Sequence, residues 1–139
     1  MKRIALTLAV VLFAAVVAGC ATTKKPSDDE MIQTTIAAWS AGLTEKNVEK
    51  FLTSISEDFA SDQAEDKATL GDFIKDAIDA GYLEEGEVTL ADAQYKKEGD
   101  TCTVYPVDLA SAAGSVSVEL VLTKKDGNWL ITAMSVDGL

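Results

Sequence analysis

The sequence predicts an α+β domain, with helices first and an antiparallel sheet after them. Three observations carry that class. Apolar residues between 28 and 81 recur at helical spacing, whereas those between 87 and 136 alternate as in strands. The strand-like runs are joined by the short turn signals EGD, SAAG and DG, which favour neighbouring antiparallel strands. At 139 residues, the chain has room for one such domain behind a short leader.

The leader comes first. MKR is a positive start, and residues 4–18 form an almost wholly apolar run, shorter than the roughly 20 residues of a membrane-spanning helix. Small residues then precede Cys20, and VAGC at 17–20 resembles the bacterial lipobox. That resemblance implies cleavage before Cys20 and a diacylglycerol on its thiol. The expected division is a signal peptide at 1–19, a lipidated cysteine with a polar tether at 20–27, and a folded domain at 28–139. Several acyl chains make such anchoring stable, since each buried methylene contributes about 0.8 kcal/mol. Ala21, in place of an aspartate, points to the outer membrane, with the domain facing the periplasm.

Ser27 followed by Glu30 fits a capping box, with Asp28 and Asp29 in the first turn, where the helix dipole favours acids. Ile32, Ile36, Trp39 and Leu43 make one apolar stripe. Asn47 caps a shorter helix carrying Val48, Phe51, Leu52 and Ile55. Part of the segment 56–66 is expected as a short strand. Asp66 then caps a third helix with the stripe Leu70, Phe73, Ile74, Ala77 and Ile78, which Gly81 stops.

Four strands follow, at about 87–97, 101–110, 115–125 and 128–136. Pro106 cannot donate to a ladder and marks a bulge or an edge. With Asp126-Gly127 as a two-residue turn, Leu122 lies opposite Ile131, Leu120 opposite Ala133 and Lys124 opposite Trp129. Val116, Val118, Leu120, Leu122, Trp129 and Ile131 then form the core face. Ser117, Glu119, Val121, Thr132 and Met134 form the other, where Val121 and Met134 suggest a homodimer surface.

The net charge is −11, falling to about −13 without Lys2 and Arg3. A surface so acidic repels phosphate backbones, which excludes nucleic acid as a partner. Histidine is absent, removing the commonest general base and metal ligand together. No metal and no cofactor are expected. Asp72, Asp76 and Asp79 lie along one helix and read as a solvated face, because a calcium site draws ligands from a loop. With Cys20 taken as the anchor, Cys102 is alone and has no base or cation in TCTVY to activate it.

IAAWSAGLTEKNVEKFLTSISEDFA, GDTCTVYPVDL and LVLTKKDGNWLITAMSV resemble the opening helices and closing strands of the nuclear-transport-factor-2-like (NTF2-like) superfamily over residues 28–136. The resemblance implies a cone, or cystatin-like roll, in which N-terminal helices pack in the concavity of a curved antiparallel sheet that often encloses a pocket. Ketosteroid isomerase and SnoaL-like cyclases share that fold. In the isomerase a first-helix tyrosine and a late-strand acid hold an oxyanion, and an aspartate moves the proton. Here the tyrosine position falls on Trp39, the base position on Gln63 beside Asp62, and the late-strand acid on Glu119. Indole is a far weaker acid than phenol and an amide is no base, so one position of three is filled. Trp39, Tyr105 and Asp108 are the candidate ligand-contacting residues, the last two flanking the expected bulge near the cone mouth.

The resulting expectation is an envelope lipoprotein whose domain binds a small apolar ligand or another envelope protein without catalysis. The alternatives are an isomerase or cyclase using Asp62 or Glu119, and an assembly protein that dimerises through its sheet.

Overall fold

The computed structural model describes residues 26–138. The leader, Cys20 and most of the tether lie outside the described residues.

Helix α1 spans Asp28–Thr44 and starts as its residues dictate: the Ser27 hydroxyl accepts from the Glu30 amide, and three acids fill the first turn. All four residues of the expected stripe, Ile32, Ile36, Trp39 and Leu43, are buried. Helix α2, Val48–Leu52, is capped by the Asn47 side chain, which accepts from the Lys50 amide. It crosses α1 so closely that a Cβ on Gly42 would meet the Phe51 Cα at 2.5 Å. Helix α3, Lys67–Asp79, opens with Asp66 accepting from the Thr69 amide. The third stripe is only partly buried: Leu70 and Ile74 are covered, whereas Phe73 is 44% exposed. No described helix is long and apolar enough to cross a membrane.

The segment 56–66 forms no strand. Ile55 instead makes a single parallel bridge to Ile131. The backbone from Ser54 to Ala60 exchanges hydrogen bonds with Ile131 and Thr132, covering the free edge of the last strand.

Five strands build the sheet: β1 Glu87–Thr89, β2 Gln94–Glu98, β3 Thr101–Ser111, β4 Gly114–Lys125 and β5 Asn128–Asp137. The run expected as one first strand is broken at residues 90–93, where the Ala93 amide bonds the Leu90 carbonyl. Its two pieces, β1 and β2, pair with opposite ends of β3, and β3, β4 and β5 follow as an antiparallel meander. Pro106 lies in β3 at a bulge, not at an edge: the β3–β4 register shifts between Val104 and Val107, so Tyr105 and Pro106 together oppose Glu119.

The β4–β5 hairpin has the expected register near its turn, with Leu122 opposite Ile131 and Lys124 opposite Trp129. Asp126 and Gly127 both have positive φ, as a two-residue hairpin turn requires. Farther along, the expectation fails. Thr132 is an extra residue, so Leu120 faces Met134 and Val121 faces Ala133. One inserted residue inverts the alternation. Met134 therefore turns inward and is buried, and it does not contribute to an outer-face dimer surface. The bulge falls where β5 bonds the 54–60 segment, and the Thr132 hydroxyl lies 2.8 Å from that of Thr123.

The core is the contact between the helices and the inner sheet face: Ile36, Phe51, Ile55 and Leu70 meet Val104, Val107, Leu120, Leu122 and Ile131. Two polar ties fix the start of α1 on the sheet. The Thr35 hydroxyl donates to the Trp129 carbonyl. Asp28 accepts from Trp129 Nε1 at 3.1 Å and from Lys124 Nζ at 3.0 Å. These two donors hold the Asp28 carboxyl below its ordinary pKa, the indole bond being the larger influence. Among the described residues, the buried core runs from Ile32 to Met134 and is built by the three helices, the 54–64 segment and the sheet.

Candidate functional site

At the end of the roll farther from Ser27, the helices and sheet do not close on each other. A cavity of about 440 Å³ opens there, within the range of small-molecule sites. The C-terminal half of α1 contributes Trp39 and Leu43, α2 contributes Phe51, and α3 contributes Phe73, Ile74 and Ala77. The sheet side is formed by Leu109, Val116 and Val118 of β3 and β4, with Met134 and Val136 of β5.

Two local features keep the space open. The β3–β4 turn is SAAGS, residues 111–115, and side chains that small cannot fill the gap between the sheet and α3. Four of the five, Ser111, Ala113, Gly114 and Ser115, line the cavity. The second feature is the end of α3. Gly81 takes φ +82°; its amide bonds the Ile78 carbonyl and the Tyr82 amide bonds that of Ala77. This is a Schellman stop, which needs a residue at ease in the left-handed region. It carries Tyr82 onto the cavity wall, where the ring is 60% exposed. Phe73 and Tyr82 are thus exposed aromatic residues on one mouth.

Among the described residues, the wall carries no acidic side chain, lysine, arginine or cysteine; its polar groups are hydroxyls, backbone groups and the Trp39 indole. Trp39 is 1% exposed, and its ring centroid lies 6.4 Å from that of Phe51. Its Nε1 is buried without a hydrogen-bond partner among the described residues, which costs the desolvation of one donor.

The other candidates lie elsewhere. Asp62 is exposed on the loop before α3. Glu119 is half-buried on the outer sheet face opposite Ser135. Tyr105 and Asp108 do flank the bulge, but neither lines the cavity. The Tyr105 hydroxyl, on the outer face, donates to Asp137 at 3.0 Å, and that bond raises the phenol pKa. Asp108 accepts from the Ser117 hydroxyl at 2.8 Å. The structure therefore brings Trp39 to the cavity and keeps Asp62, Glu119, Tyr105 and Asp108 apart from it. Asp72, Asp76 and Asp79 are exposed on α3. Cys102 is buried on β3, and burial pushes its thiol pKa up, away from the reactive thiolate.

Several wall residues were not singled out as ligand contacts from the sequence: Leu43, Phe73, Tyr82, Leu109, Val116 and Val136. The available signal was the run of small residues at 111–115 between two apolar strands. Read alone, it marks only a turn.

By sequence, no family profile and no curated protein matches the chain. Solved structures do match in shape. A protein of unknown function with a cystatin-like fold from Nostoc punctiforme superposes with TM-score 0.65 at 17% identity, over 81% of this chain and 93% of that one. An NTF2-like protein of unknown function from Pseudomonas putida gives TM-score 0.65 at 11% identity, over 78% and 84%. A Mycobacterium tuberculosis protein of unknown function gives 0.58 at 24% identity, over 78% and 76%. The fold is NTF2-like. What these chains share with this one is the fold, helices followed by a curved antiparallel sheet.

Proposed function

We propose that the chain is a bacterial envelope lipoprotein, anchored through Cys20, whose NTF2-like cone binds a small apolar molecule and releases it unchanged. The observation that supports binding is the open cavity walled by apolar side chains. The placement of Asp62 and Glu119 away from that wall favours binding over isomerase-type chemistry, which needs an acid or base within hydrogen-bond reach of the substrate. Anchoring rests on the leader and VAGC at 17–20.

The test is a native mass spectrum of the domain at residues 27–139, purified gently from its own host. A protein peak carrying a discrete small-molecule mass, lost when Ala77→Trp fills the cavity, is the expected result. A clean peak from host material, together with no thermal stabilisation by any member of an apolar compound set, overturns the binding reading. Turnover of a steroid or polyketide substrate that is lost in Glu119→Gln overturns the non-catalytic one.

A further inference from the structure

Resting on the ligand-binding reading above, we propose that the cone selects by charge: it takes an electrically neutral amphiphile and rejects the corresponding anion. The apolar body of the ligand lies against Trp39, Val118 and Met134, and its polar end lies at the small-residue rim of Ser111, Gly114 and Ser115.

Among the described residues, the wall holds no cation to pair with a buried carboxylate or phosphate, and an ion taken out of water without a partner is heavily penalised. The surroundings add to this. The elements that frame the mouth carry Asp72, Asp76 and Asp79 on α3, with Glu84 and Glu85 after it. Against these stand Lys75 on α3, Lys67 at its start, held by Glu57 at 2.8 Å, and Lys46, whose ammonium is held by Glu84 at 2.8 Å. An approaching anion therefore meets a negative rim and then a neutral interior. A neutral head group meets what the rim offers. Ser111 and Ser115 supply hydroxyls, which both donate and accept. The Ser111 oxygen already takes the Ala113 amide at 3.2 Å, leaving its own O–H to donate.

The selectivity separates two otherwise matched probes, 1-decanol and decanoate, titrated into the soluble domain at residues 27–139 at pH 7 and low salt. Binding is read by calorimetry and by the fluorescence of Trp39, with Trp39→Phe as the control for Trp129. Decanol is expected to bind at least about tenfold more tightly than decanoate, because only the anion loses hydration without gaining a partner. Ala113→Lys, a cation placed on the exposed rim, is expected to raise decanoate affinity about threefold or more and to change decanol affinity less than about twofold. Decanoate binding as tightly as decanol in the unmodified domain overturns charge selection while leaving the binding reading intact. Failure of both probes to bind, or binding that persists when Ala77→Trp or Ser115→Trp blocks the cavity, overturns both.

Discussion

The contact between α1 and α2 sets the inner end of the cavity, and Gly42 makes that contact possible. A Cβ added at Gly42 would lie 2.5 Å from both Cα and N of Phe51 and 2.6 Å from its Cβ. None of these atoms can rotate away, so Gly42→Ala must push the two helices apart. Overpacking of this kind typically costs about 1–3 kcal/mol, offset by the roughly 1 kcal/mol by which alanine outranks glycine inside a helix. The overlap is with backbone, which puts the cost at the upper end and the net loss at about 1–2 kcal/mol. Urea unfolding of the domain at residues 27–139, with a slope of about 1.5 kcal/mol/M, should then show a midpoint lower by about 1 M. Gly71→Ala is the matched control. There the nearest atoms to the new Cβ all belong to the Leu52 side chain, the closest being Cδ1 at 3.1 Å, a side-chain end that can give way. That variant should equal the parent or gain up to about 1 kcal/mol. Equal stability of Gly42→Ala and the parent, with Phe51 unmoved, would refute the close-approach argument. Because Phe51 and Trp39 both line the cavity, Gly42→Ala should also weaken whatever binds there.

The two tryptophans should behave oppositely. Trp129→Phe removes a hydrogen bond to the Asp28 carboxylate and should lower the urea midpoint, whereas Trp39→Phe deletes a donor that has no partner among the described residues and should lower it clearly less in the same assay. Asp28 and Asp66 both have depressed pKa values, the first mainly through Trp129 and Lys124 and the second through the Thr69 amide. Their unfolded forms take up protons at a higher pH than the folded forms. Their stabilisation is therefore complete above the ordinary carboxylate range and is lost as pH falls through the folded values. Midpoints measured from pH 7 to 3 should fall on the acid side, and Asp28→Asn should flatten that fall. Cys20→Ser should abolish incorporation of labelled fatty acid into the protein and leave the leader uncleaved, seen as a higher mass on a gel of the fractionated host.

Where structure is local, the residues declared it. Ser27, Asn47 and Asp66 cap the helices expected of them, because a cap needs only a side-chain oxygen and an amide two or three residues on. The Asp126-Gly127 turn sets the register beside it for the same reason. The first helix also announced its buried stripe, since packing follows period when one face is covered from end to end.

Tertiary structure decided the rest. Met134 is internal because Thr132 bulges where β5 meets the 54–60 segment, a contact between residues more than 70 positions apart. Phe73 continues an apolar stripe yet stays exposed, because it lies on the cavity wall that it shares with the small residues of the SAAGS turn. The cavity is likewise a product of assembly: α1, α3 and the SAAGS turn each look ordinary alone, and only their mutual distance leaves the space empty. Sequence alone thus determined the helix starts, the meander of the last three strands and the class of fold. Which apolar residues are buried and which are left to meet a ligand depends on long-range contacts, whose geometry no local pattern encodes.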